Sequence, residues 1–235
     1  MNNGQEFKKF ATKHMGIPSS NLHRFESRME QAIYAGDPSN MTRSIIEERQ
    51  TNFREIDVFS RLMADRIIFL GMGIDDHISN IVCAQMLFLA NVSSQDITMY
   101  INSPGGSVYA GYGIRDTMQL IRPDVSTICV SLAASMGAIL LTSGTPGKRL
   151  TLPYSRIMIH QPLGGMQGQA SDMEISYKQM QIIKKELYEI IQMHLPVGKE
   201  RTLEQIEKDC DRDNWMKGQE AIDYGIVDEI VSKAI

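Results

Sequence analysis

Val125-Ser-Thr-Ile-Cys-Val-Ser131, joined through Leu132-Ala-Ala-Ser135 to Met136-Gly-Ala-Ile-Leu-Leu141, is the stretch that decides how this chain folds. Its first part is rich in β-branched residues and reads as a buried strand. Its last part is a short apolar run made mostly of helix formers. The turn between them, Leu132-Ala-Ala-Ser-Met-Gly137, is a small-x-Ser-x-Gly arrangement whose small neighbours let the backbone bend sharply. Ser135 in that turn can point its hydroxyl into a cleft, where the first amides of the following helix favour negative charge. That is the position of a nucleophile; a helix N-cap serine is the commoner use of such a residue.

Outward from this junction the chain alternates strand and helix. Ile67–Leu70 and Ile97–Ile101 read as strands, and Arg156–Ile159 as another. His77–Ala90 places Ile78, Ile81, Val82, Gln85, Met86 and Leu89 on one helical face, and Ser107–Leu120 forms a second helix. Repeated β-to-α alternation predicts α/β layering with parallel strand pairing. Ser171–His194 predicts a long helix with Ser176, Met180, Ile183, Leu187, Ile190 and His194 at three- and four-residue steps. Met173, Tyr177, Ile182 and Ile191 make its other faces apolar too, which implies burial or a partner.

Two further segments bear on Ser135. His160-Gln-Pro-Leu-Gly-Gly165 places a histidine at a strand end on the sheet rim, free to act as a general base toward a serine or to bond a nearby backbone group. Tyr100-Ile-Asn-Ser-Pro-Gly-Gly-Ser-Val108 is a strand entering a Gly-Gly turn. Glycines there let the backbone approach a ligand and offer N–H groups to an oxyanion, unless the turn is merely tight.

Asn102-Ser-Pro-Gly-Gly106, Ala133-Ala-Ser-Met-Gly-Ala138, Met158-Ile-His-Gln-Pro-Leu-Gly-Gly165 and Asp211-Arg-Asp213 closely resemble the proteolytic subunits of the Clp protease family, which are serine peptidases. Asp57–Met63 and Arg66–Gly71 extend the resemblance, which runs from about Ser44 to about Val231. The resemblance implies a crotonase-like fold of stacked ββα units with a protruding long helix, and a single peptidase domain over 41–235. It makes Ser135 the nucleophile, His160 the general base and Asp213 the aspartate of the triad, with Asp209 the alternative to Asp213. The amides of Gly106 and Met136 would form the oxyanion hole. Asp211 and Arg212 resemble residues that tie two stacked heptameric rings together, and the Ser171–His194 helix would be the handle of that contact. Gly164–Gln169 would be its flexible part and could pair with a bound peptide. His194, at the far end of the helix, reads as a surface or interface residue.

The resemblance also implies partners: further copies of this chain, unfolded polypeptide substrates and an AAA+ ATPase unfoldase of the Clp family. Ile45–Gln50 resembles residues lining the axial pore, and Tyr100 matches a docking cleft for the unfoldase, with Thr98 where an aromatic is common. ATP would belong to that partner, since the chain lacks a G-x-x-x-x-G-K-[ST] loop. No cofactor or metal is called for: the three cysteines, Cys83, Cys129 and Cys210, have no CxxC spacing. One departure stands out: Ser131-Leu132 occupies the place where the family usually has Gly-Gln. It leaves open an inactive ring subunit, and the fold leaves open an acyl-CoA hydratase or isomerase.

Composition agrees with this reading. The chain has 235 residues and is 43% hydrophobic, enough for one domain with a sizeable core. Its net charge of -4 gives no sign of nucleic-acid binding. The apolar stretch Ile128–Leu141 is broken by Ser131, Ser135 and Gly137 and is shorter than the roughly 20 residues of a membrane span. An odd cysteine count without a signal peptide predicts a reducing cytoplasm. Residues 1–40 mix lysines with scattered phenylalanines and end in Gly36-Asp-Pro-Ser-Asn40, a boundary signal for an N-terminal extension or a removable propeptide.

Overall fold

Strand β4 (Ile97–Ser103) shows how the sequence pattern becomes structure: Ile97, Met99 and Ile101 are wholly buried while the residues between them are half-exposed. Each such side chain contributes about 1.5–3 kcal/mol by leaving water, so this strand anchors the sheet. The computed structural model describes residues 44–49 and 52–232, with side chains from Ile56 onward. The expected extension at 1–40, with its boundary at Gly36–Asn40, lies outside the described residues, as does Gln50.

The chain divides between Leu62 and Met63 into two compact units. In the first, β1 (Ser44–Arg49) and β2 (Asn52–Asp57) pair antiparallel from Ser44↔Asp57 to Arg49↔Asn52. Helix α1 (Val58–Ala64) follows, its Ser60 amide donating to Asp57 Oδ1.

The second unit is the α/β layering expected. Its sheet runs β3 (Ile67–Leu70), β4, β5 (Val125–Ala134), β6 (Arg149–Thr151) and β9 (Glu229–Ile230), all parallel. Off this path, β7 (Arg156–Ile159) pairs parallel with β5, and β8 (Asn214–Met216) pairs antiparallel with β7. Strand β5 changes partner along its length: Thr127–Cys129 pairs with β6 and Leu132–Ala134 with β7. The change falls at a bulge against β4, where Ile101↔Cys129 is followed by Ser103↔Ala133. Bulges of this kind re-aim the residues beyond them. The sequence pattern carries this strand only to Ser131; it continues to Ala134 because β7 supplies a second set of backbone partners.

Helices α2 (Asp76–Val92) and α3 (Val108–Leu120) follow β3 and β4, capped by Asp75 and Ser107 as their residue types favour. Short α4 (Met136–Thr142) is buried throughout. The long helix α5 (Ala170–His194) buries only its last turns, through Leu187, Tyr188, Ile190 and Ile191. Ile175, Tyr177 and Ile182 remain exposed on its earlier turns. Two helices not expected from the sequence complete the unit: α6 (Leu203–Asp209) and α7 (Gly218–Tyr224).

Candidate active site

The site is built at the carboxyl ends of β4, β5 and β7, where open α/β sheets place their ligand clefts. Ser135 follows β5 directly and is held there by its amide, which donates to the Met158 carbonyl at 2.9 Å. Its backbone has φ 54 and ψ -124, outside the comfortable range for a residue with a Cβ. Although it stands at the N-cap position of α4, its side chain makes no capping bond. The hydroxyl is instead 2.9 Å from His160 Nε2.

His160 and Asp213 meet through strand register. The antiparallel pairs Ile157↔Met216, Met158↔Trp215 and Ile159↔Asn214 lead to His160 opposite Asp213 at the next step. His160 Nδ1 lies 3.1 Å from Asp213 Oδ1. The chain of contacts Ser135–His160–Asp213 is therefore continuous. It opens toward solvent at its outer end: the His160 side chain is 12% exposed, that of Asp213 59%. Asp209, the alternative aspartate, is turned elsewhere, accepting from Tyr224 Oη at 3.0 Å.

The Gly-Gly turn comes as close to the serine as a backbone can. A Cβ on Gly105 would lie 2.7 Å from both the Ser135 Cβ and the Ala134 carbonyl oxygen. Gly105 and Gly106 have φ of 89 and 152, within or at the edge of the range that favours glycine. Ile74 braces this turn: its amide donates to the Gly105 carbonyl and its carbonyl accepts from Ser107. Neither bond uses the Gly106 N–H. That donor and the Met136 N–H at the start of α4 belong to two different elements that meet at Ser135.

A cavity of about 260 Å³ opens beside the serine. Val108, Ile139, Leu163, Leu187 and Ile191 give it apolar walls, and Gly106, Ser135, Met136 and His160 border it. The arrangement can accept an apolar side chain, present a carbonyl carbon to Ser135 Oγ and move a proton through His160.

Other candidate groups are placed differently. Asp211 and Arg212 project into solvent next to Asp213, their charged ends 3.8 Å apart and 69% and 91% exposed. Gly164–Gln169 is coil. His194 is half-buried, with its carbonyl held by Arg149 Nη1 at 2.8 Å and its Nδ1 2.7 Å from the Ile190 carbonyl. Burial, together with the nearby Arg115 and Arg149 charges, outweighs that bond and lowers its pKa. Cys129 and Cys210 are buried thiols, pushed up to about 11 and about 12 chiefly by desolvation, which keeps them from serving as thiolate nucleophiles. Among the described residues, no cluster of three or more His, Cys, Asp or Glu is arranged to hold a metal ion, and no helix is long and apolar enough to cross a membrane.

One neighbour of His160 carries no role in the sequence pattern. Gln161 links the histidine loop to the Cys210–Asp213 turn by two hydrogen bonds. Its only signal was its place directly after His160.

An α/β scaffold that joins a serine, a histidine and an aspartate in one hydrogen-bonded chain beside an apolar cavity defines a serine hydrolase arrangement. The sequence model of the Clp protease family matches residues 48–234, and the chain belongs to that family of serine-type peptidases. The ATP-dependent Clp protease proteolytic subunit of Porphyromonas gingivalis is 55% identical over 229 residues, covering 97% of this chain and 98% of the relative. Proteins of the same description from Bacteroides fragilis and Bacteroides thetaiotaomicron are each 52% identical over 229 residues, covering 97% of this chain and 99% of each relative.

Proposed function

We propose that this chain is the proteolytic subunit of an ATP-dependent endopeptidase and that Ser135, His160 and Asp213 are its triad. The observation that carries the reading is the unbroken Asp213–His160–Ser135 contact chain, with 3.1 and 2.9 Å links. Asp213 orients the imidazole and stabilises its charged form. His160 accepts the Ser135 proton as the hydroxyl oxygen attacks a peptide carbonyl carbon, and returns it to the leaving amine. Water then attacks the acyl-enzyme and restores the serine. The Gly106 and Met136 amides donate to the oxyanion; losing one such donor costs on the order of a hundred- to a thousandfold in kcat. These steps draw on the chain, the substrate and one water.

The substrate class is unfolded polypeptide with an apolar residue before the scissile bond, as the cavity walls favour. We infer that residues 41–235 act as one peptidase domain, since the family match at 48–234 crosses the boundary between the two compact units. Fourteen copies in two stacked heptameric rings would enclose the sites, with the exposed apolar turns of α5 and the Asp211–Arg212 pair at the ring–ring contact. An AAA+ unfoldase would feed the chamber and account for the ATP dependence that the relatives' names record. Tyr100, stacked on Phe69 with ring centroids 6.4 Å apart, fits a docking cleft for it. A cytoplasmic setting suits the free cysteines.

Hydrolysis of fluorogenic peptides by the purified protein, with Ser135→Ala as control and particle size measured on the same sample, tests this. Turnover from the assembled wild type that disappears in Ser135→Ala is expected. Equal turnover in both would contradict it.

A further inference from the structure

Asp213 is an exposed residue with an exacting geometric task. The β7–β8 ladder stops at Ile159↔Asn214, one step short of the His160–Asp213 contact. Beyond it, the Asp213 carboxylate is 59% exposed, so packing does little to hold it and water competes for its oxygens. Something else has to keep the Cys210–Asp213 turn in register with the histidine.

Gln161 is placed to do this. Its main-chain N–H donates to the Cys210 carbonyl at 2.7 Å. Its side-chain Nε2 donates to the Asp211 carbonyl at 2.8 Å and lies 3.4 Å from Asp211 Oδ1. Cys210 is fully buried and caps α6, so the first bond is anchored in rigid structure. The second reaches past it to the residue two before Asp213. The residue after the histidine thus holds Cys210 and Asp211, three and two positions before Asp213 on the opposing turn.

We propose that Gln161 is a positioning residue that sets the His160–Asp213 pairing, acting on catalysis only through Asp213. It touches neither substrate nor reacting atoms. This rests on the triad reading above. Only a side chain of this length with a donor at its tip spans the gap; a carboxylate there would face the Asp211 carbonyl, acceptor to acceptor. A small displacement of a catalytic group costs up to about a hundredfold in rate.

The test is a double-mutant cycle on the assembled full-length protein, with kcat and KM measured on one fluorogenic peptide. Gln161→Ala and the same-sized Gln161→Glu are expected to lower kcat on the order of ten- to a hundredfold while KM changes by less than about twofold. In an Asp213→Ala background, where the triad's residual rate is still measurable, Gln161→Ala is expected to cost less than about twofold more. An equal loss in both backgrounds, or no loss in either Gln161 variant, would overturn the proposal. Should Gln161→Ala fail to assemble, Gln161→Glu carries the same cycle. Ser135→Ala separates the two ideas: activity surviving in that variant sinks the triad reading, whereas activity lost there but kept in both Gln161 variants sinks only the role of Gln161.

Discussion

Gly105 and Ser135 come so close that a Cβ on the glycine would lie 2.7 Å from the serine's own Cβ. The Gly-Gly turn and Ser135 therefore share one steric slot, and the glycine's φ of 89 adds a conformational demand. Gly105→Ala is expected to destabilise the fold by about 1–3 kcal/mol. It should also lower kcat by about a hundredfold, by displacing Ser135 relative to its donors. Thermal unfolding and steady-state kinetics on the same preparation check both numbers.

Ser131 holds φ at 71, in the left-handed region, within the bulge where β5 changes partners. The geometry suits the glycine of the Gly-Gln pattern, and here a serine accepts the strain; nothing in the structure explains Leu132. Its amide is held by Ser155 Oγ at 3.0 Å, and Ser155 in turn donates to the Cys129 carbonyl at 2.9 Å. Ser131→Gly is expected to stabilise the protein by up to about 1 kcal/mol, relief of strain being partly offset by a freer unfolded chain. Peptidase activity should stay unchanged. Denaturant midpoints of the two proteins at equal protein concentration measure it.

Arg149 is 1% exposed and binds Asp228 in a bidentate pair while also holding the His194 carbonyl. Burial alone would raise the Asp228 pKa; the Arg149 hydrogen bonds and charge, with the Gly147 amide, outweigh it and hold the carboxyl below its usual value. A depressed folded pKa means stability that is present above the unfolded value of about 3.9 and lost as pH falls through the folded one. The stability difference between wild type and Asp228→Asn is therefore expected to be constant above about pH 5 and to shrink in more acid solution. Arg149→Met removes the guanidinium from a partly buried carboxylate that keeps its two main-chain amide donors, and is expected to cost about 1–3 kcal/mol. Urea unfolding between about pH 3 and pH 7 follows both.

Much of the fold was legible because its central elements carry their own period. Ile97, Met99 and Ile101 alternate as a half-buried strand must, and Val82, Met86 and Leu89 repeat as one helical face. The short strands β6, β8 and β9 carry too few residues for any period to show; their pairing partners make them strands. Helix α6 carries a signal, the Thr202–Gln205 capping box, but its 7 residues are too few for a periodic face to show. In the site, Ser135 and His160 were readable from the elements they terminate. Choosing Asp213 over Asp209 required the family motif, because nothing local in Lys208–Asn214 reveals which carboxylate the β7–β8 register will bring to the histidine. Gln161 was invisible for the same reason: its two bonds cross to a turn some fifty positions away.

The most direct test of the central claim is covalent labelling of the assembled protein with a fluorophosphonate, followed by peptide mass spectrometry. One adduct on Ser135 is expected, slowed by about a thousandfold or more in His160→Ala and absent in Ser135→Ala. Stoichiometric labelling of any other residue, or peptide hydrolysis that persists while Ser135 stays unmodified, would contradict the account.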